Sequence, residues 1–312
     1  MTTAPVSLLS VAHLSAAYGA TNVLDDVSFT AEAGELIGLC GPNGSGKSTL
    51  LRALVGLQPT SAGSVRVAGR TAGEAAADLS YVPQHAAVDH DFPITVREVV
   101  STGRLPARRG LRWLRRDDRE IVEEAITALD LGPLADRGLA ELSGGQRQRT
   151  YLARALAQQA RILLLDEPFA AVDARAERDL WARLSELTAT GALVVVVHHD
   201  LAVLAEHADR LVLLSGHVVA EGAPAAVLTP AHLAAAYELP VGALTGLGGL
   251  ATPQELPAHR ASGAPPRNGR PRTATAGNGG AGADLAQGAQ PARSGAARAG
   301  VSGHSRDEDD RR

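Results

Sequence analysis

Cysteine is almost absent from this 312-residue chain: Cys40 is the only one. That excludes a disulfide framework and fits a reducing compartment. Cys40 abuts a glycine-rich loop, so its thiol reads either as a redox switch or as a small buried residue at a strand end; the buried residue is the expectation. Aromatic residues make up only 3%, so a core has to be assembled largely from Ala, Leu and Val. Long apolar runs are missing too. The longest aliphatic stretches, 162–165 and 193–197, fall far short of the ~20 residues that span a bilayer. Residues 1–10 carry no basic n-region and no long apolar core, so no signal peptide is expected. Any membrane role would then come through a partner. Nor is there an excess of positive charge. The net charge of −4 argues against a general nucleic-acid binder.

What is present is organised around Gly41-Pro42-Asn43-Gly44-Ser45-Gly46-Lys47-Ser48-Thr49. This reads G-x-x-x-x-G-K-S, a phosphate-binding loop. The apolar run 36–40 before it reads as a buried strand. Leu50, Leu51, Leu54 and Leu57 after it have helical spacing, which predicts a helix over 48–57. Strand, glycine loop and helix together aim backbone N–H groups and a positive helix end at a phosphate. Lys47 then reaches the β- and γ-phosphates, and the Ser48 hydroxyl sits on Mg2+.

Along the chain, residues 6–33 read as two strands around a turn at Gly19-Ala20-Thr21-Asn22. Tyr18, just before that turn, either stacks on a base or packs locally. Strands follow at 65–67 and 79–82, closed by Pro83-Gln84, with Gln84 a loop residue by spacing alone. From 85 a small helical insert is expected within an α/β core. It holds a short helix from Thr95 to Val100 and another headed by Asp117. Asp117 and Glu120 resemble a capping box, and Ile121, Val122, Ala125, Ile126 and Leu129 form the apolar stripe. Arg104, Arg108, Arg109, Arg112, Arg115, Arg116 and Arg119 surround Trp113. They read as a nucleic-acid patch or, preferably, as a face toward a partner or anionic lipid. His85, Asp89, His90 and Asp91 are metal-binding by type, but lack ligand spacing, so a solvated loop is expected.

Leu142-Ser143-Gly144-Gly145-Gln146 opens a helix that runs to Gln159. It reads equally as a second anion site or as an ordinary N-cap. Residues 162–168 are a buried strand ending in Asp166 and Glu167. In a phosphate-loop hydrolase, one acid there holds Mg2+ and its neighbour activates water. Asp173 is placed to cap a helix over 174–188. The aliphatic strand 193–197 ends in His198-His199-Asp200 at the carboxyl edge, where α/β sheets take ligands. A hairpin over 210–220 and short helices at 225–228 and 231–237 follow. From 241 Gly, Ala, Pro, Ser and Arg dominate without periodicity, so residues 241–312 are expected to be a disordered tail.

Phosphate loop, the 142–146 signature and the 162–168 acid strand, in this order and spacing, resemble the nucleotide-binding subunit of an ATP-binding cassette (ABC) transporter. The resemblance covers residues 6–237. It implies a P-loop α/β core with an N-terminal antiparallel β subdomain and an inserted helical subdomain, together spanning 1–240, the insert at about 85–160. It implies that Tyr18 stacks on adenine, that Gly41 to Thr49 hold ATP, and that Lys47, Ser48 and Thr49 serve its phosphates and Mg2+. Gln84 resembles the glutamine that senses Mg2+ and the attacking water. Asp166 matches the Mg2+ acid, Glu167 the general base and Asp173 the acid facing an opposing subunit. His199 matches the switch histidine at the γ-phosphate, while His198 stands where the family often has Thr. Ser143, Gly144, Gly145 and Gln146 match residues that face a nucleotide held by a second copy, so a homodimer is implied.

A narrower resemblance rests on residues 81–84, 88–96, 112–116, 165–174 and 197–201, which are similar to the ATPases of manganese, zinc and iron importers; His90 stands where a Trp is common in that group. It implies a peripheral subunit on the cytoplasmic face of the membrane, a multi-span permease partner and an extracytoplasmic substrate-binding protein. The alternatives are a siderophore or other nutrient importer, an exporter, or a soluble cassette of DNA repair or translation. The last resembles long coiled-coil or tandem chains, and no heptads are present.

Overall fold

The computed structural model describes residues 7–19, 21–84, 93–105, 114–169 and 174–239. Asp173, Trp113, the His85, Asp89, His90 and Asp91 set and the segment 241–312 lie outside the described residues.

Two sheets share one centre. The first is antiparallel, in the order β2-β1-β4-β5, from β1 (Leu9–Tyr18), β2 (Thr21–Ala31), β4 (Ala62–Val67) and β5 (Arg70–Thr71). The second has six strands in the order β10-β9-β3-β8-β7-β6, where β3 is Leu36–Cys40, β6 Leu79–Val82, β7 Ile162–Asp166, β8 Leu193–Val197, β9 Arg210–Ser215 and β10 His217–Gly222. From β9 through β6 neighbouring strands are parallel; β10 closes as a hairpin on β9. The strands β3, β7 and β8 are buried at every position, which is why their sequences are continuous apolar runs rather than alternating ones.

Alternation within those runs sorts residues between two cores. Leu36 and Cys40 of β3 face a core shared with the helices, whereas Ile37 and Leu39 face the antiparallel sheet and helix α1 (Lys47–Leu54). The helix after the loop is shorter than its leucine spacing predicts. It stops at Leu54, Gly56 turns at φ 75°, and Leu57 is left exposed.

The insert comprises α2 (Val96–Thr102), α3 (Arg116–Ala128) and α4 (Gly144–Gln158). A Thr95–Glu98 capping box starts α2. The expected Asp117–Glu120 box at α3 is not formed. Asp118 does that work instead: its Oδ2 accepts the Arg115 N–H at 2.9 Å, and its Oδ1 accepts from Arg104 Nε at 3.1 Å. Arg104 Nη1 also donates to the Ala157 carbonyl at 2.7 Å, so one buried guanidinium clamps three helices. The partner that selects Asp118 over Asp117 is non-local, and i,i+3 spacing cannot reveal it.

Helices α5 (Ala174–Ala189), α6 (Leu201–His207), α7 (Pro224–Val227) and α8 (Pro230–Tyr237) complete the fold. Among the described residues, no helix is long and apolar enough to cross a membrane.

Gly103, at the end of α2, touches α4 backbone to backbone: a Cβ there would sit 2.2 Å from the Arg154 carbonyl oxygen. Gly103→Ala is therefore expected to force α2 off α4 and cost about 1–3 kcal/mol. Thermal melting should fall by about 2–4 °C per kcal/mol; an unchanged melting temperature would show that the helices can part freely.

Candidate active site

Each of four parallel strands ends in one piece of the site. β3 runs into the glycine loop, β8 into His198-His199, β7 into Asp166-Glu167, and β6 into Pro83-Gln84. These ends meet at an open cavity of about 680 Å3. Asn43, Gly44, Gly46, Lys47, Ser48 and Thr49 form one wall, and Gln84, Glu167 and His199 form the other. Val23 of β2 also lines it, a residue that no sequence pattern marked.

The loop is held tightly by its own backbone. Gly41 has φ 142°, and a Cβ on it would lie 2.0 Å from the Leu214 carbonyl oxygen, so only glycine fits. Lys47 Nζ donates to the carbonyls of Gly41 (2.9 Å) and Pro42 (2.8 Å), with Ser45 Oγ at 3.4 Å. Burial pulls the Lys47 pKa down, while the carboxylates of Glu167 and Asp166 oppose that. Cys40 is fully buried beneath the loop, and burial pushes its thiol up to about 12. It stays protonated and points its S–H at the Val212 carbonyl (3.7 Å), which is the buried-residue reading rather than a switch.

The two acids at the end of β7 differ sharply. Asp166 is 1% exposed, and burial raises its pKa, against hydrogen bonds from Ser48 and Tyr81. Its Oδ2 accepts from the Tyr81 hydroxyl at 3.4 Å, and its Oδ1 has no hydrogen-bond partner. Glu167 reaches the cavity and accepts from Gln84 Nε2 at 2.5 Å. It holds φ 49°, a left-handed backbone that costs a non-glycine residue about 1–3 kcal/mol. Its N–H, bonded to the Val197 carbonyl at 3.2 Å, anchors that turn. The His doublet also divides. His199 is exposed and lines the cavity, whereas His198 is buried behind it.

The family described as ABC transporter matches this chain over residues 24–170. The zinc transport system ATP-binding protein TroB of Treponema pallidum is 43% identical over 73% of this chain and 86% of its own length. The manganese transport system ATP-binding protein MntB of Bacillus subtilis is 40% identical over 72% of this chain and 90% of its own. The chain belongs to the ABC transporter family, as an ATP-binding subunit. The hemin import ATP-binding protein HmuV of Thermobifida fusca is a further relative, 41% identical over 75% of this chain and 83% of its own. Among solved structures, the ATP-binding subunit of an ABC transporter superposes with a TM-score of 0.64 at 27% identity, covering 70% of this chain and 90% of that one. ATP-binding subunits of ABC transporters hydrolyse ATP, and this one is an ATPase of that kind.

Other sequence-marked residues of this ABC ATPase stand apart from the cavity. Tyr18 is 47% exposed at the end of β1, its hydroxyl accepting from Arg52 Nη1 at 3.5 Å. Ser143 caps α4: its Oγ accepts the Gln146 N–H (3.3 Å), and Gln146 Oε1 accepts the Ser143 N–H (2.9 Å). That is the capping arrangement, with Ser143 and Gly144 left on the surface. None of residues 143–146 lines the chain's own cavity. Sequence reasoning missed Tyr81, whose signal was only its place on β6 beside the acid strand.

Asp166 carries a penalty that titrates. Its pKa is raised in the fold, so its ionised form destabilises the protein above the ordinary carboxylate range, and the penalty vanishes where both folded and unfolded forms are protonated. Asp166→Asn should therefore raise the melting temperature at pH 7 without nucleotide, and this gain should shrink as pH falls toward about 4. Calorimetry across pH checks this; an equal or lower melting temperature at pH 7 contradicts it.

Proposed function

We propose that this ATPase powers import of a divalent metal, manganese or zinc, across the cytoplasmic membrane, as two identical copies docked on the inner face of a separate multi-span permease. An extracytoplasmic binding protein delivers the cargo. The observation that carries the cargo class is the kinship with the zinc and manganese transport subunits.

ATP enters the cavity with its phosphates against Lys47 and the loop from Gly41 to Thr49, and Tyr18 stacks on the adenine. Ser48, Gln84 and Asp166 are the groups to hold Mg2+. The buried, partnerless Asp166 Oδ1 is a suitable ligand for a hard cation. Mg2+ bound there would supply positive charge to the phosphate oxygens. Glu167 takes the proton of the attacking water, and Gln84, donating to it at 2.5 Å, orients its carboxylate. Lys47 and His199 stabilise the charge that develops on the γ-phosphate. Ser143, Gly144, Gly145 and Gln146 complete the partner copy's site, in keeping with the exposure of Ser143 and Gly144 at the start of α4, away from their own cavity. Asp173 contacts the opposing copy. ATP then joins the two copies, and hydrolysis parts them. The domain boundaries follow: 1–240 is the ATPase, with its helical insert at about 85–160, and 241–312 is an appended tail.

The 41% identity to a hemin import subunit favours one second reading, a chelate importer built on the same ATPase.

Glu167→Gln is expected to lower ATP turnover by about 10²–10⁴-fold while ATP binding persists and a nucleotide-bound dimer accumulates on size-exclusion chromatography. Undiminished turnover would remove Glu167 as the base. In cells carrying Glu167→Gln, manganese or zinc accumulation should fall by elemental analysis while hemin uptake holds; the reverse pattern would select the second reading.

A further inference from the structure

His198 stands out because a polar ring occupies a core position. It is 5% exposed, directly behind His199. The two imidazoles are stacked, with centroids 4.7 Å apart and planes 16° from parallel. Burying such a ring costs free energy unless its nitrogens are satisfied. Nδ1 is: it accepts the Asp200 N–H at 3.0 Å, an arrangement that leaves the ring proton on Nε2, which lies 3.6 Å from Glu177 Oε1 of α5, outside hydrogen-bond reach. Burial holds the His198 pKa down, so the neutral ring and its Nδ1 acceptor persist at neutral pH. Phe169, just past the acid strand, meets the ring edge-on at 5.2 Å, and Trp181 of α5 does so at 6.1 Å. The ring is thus held by a backbone N–H and packed at steep angles against two aromatic rings, and it presents one flat face to His199.

His199 is otherwise an exposed side chain on a loop, with rotational freedom that a reacting geometry cannot tolerate. We infer that His198 is a positioning residue whose flat face fixes the plane in which His199 enters the cavity. This rests on the role proposed above for His199. It assigns His198 a purpose that an aliphatic core residue could not serve, because an aliphatic side chain offers volume without a plane.

Two substitutions separate plane from volume. In the purified full-length protein, His198→Phe keeps a flat ring and His198→Leu keeps only apolar bulk. His198→Phe is expected to hold kcat within about threefold, whereas His198→Leu lowers kcat by about tenfold or more at unchanged ATP affinity. In a His199→Ala background, His198→Leu should have no further effect on kcat, as a double-mutant cycle reads it. Equal activity of the Phe and Leu variants overturns the inference, and so does a further loss in the His199→Ala background. Melting temperature and ATP affinity are measured for every variant. If His198→Leu does not fold, His198→Met with the same expected loss replaces it. If His199→Ala alone retains full turnover, the role of His199 fails, separately from the stacking.

Discussion

The pairing register of four parallel strands sets the position of every group in the cavity. Leu39 lies beside Val197, Val197 beside Asp166, and Leu165 beside Val82. The chain leaves each strand within a residue or two of that common row, at Gly41, His199, Glu167 and Gln84. A one-residue slip of any strand would turn its side chains to the opposite face and bury what should be exposed. The continuous burial of β3, β7 and β8 makes such a slip costly, because both faces press on packed cores.

Within that frame the site holds arrangements that a merely stable protein would avoid. A half-buried ammonium is held against carbonyls, a carboxylate oxygen lies without a partner, and Glu167 is held in left-handed backbone. Each costs stability and each concerns charge near the place where phosphates are expected. A ligand that relieves those costs binds the folded state selectively and stabilises it by mass action.

Much of this was legible in the residues. The glycine loop, the strand ending in Asp166-Glu167 and the strand ending in His198-His199 combine short apolar runs with polar ends, and such runs declare their own burial. What escaped depended on contacts distant in sequence. Arg104 chose Asp118 over Asp117 as the carboxylate at the start of α3, Tyr81 reached Asp166 from a neighbouring strand, and Val23 came to the cavity from the antiparallel sheet. The doubled histidine was ambiguous for the same reason. Adjacent residues at a strand end point in opposite directions, and only the surrounding packing says which one faces solvent.

Scarcity of aromatic residues gives the protein an optical property. Trp181 is one of two tryptophans in the chain. Its indole is 3% exposed, stacked on Phe169 at 4.6 Å and on His207 at 4.5 Å. Phe169 lies just past β7 and His207 ends α6, so the indole is wedged between the segment that leaves β7 and the helix that follows β8. Its emission and near-ultraviolet circular dichroism therefore form a native reporter of how closely those segments are packed, with no dye attached.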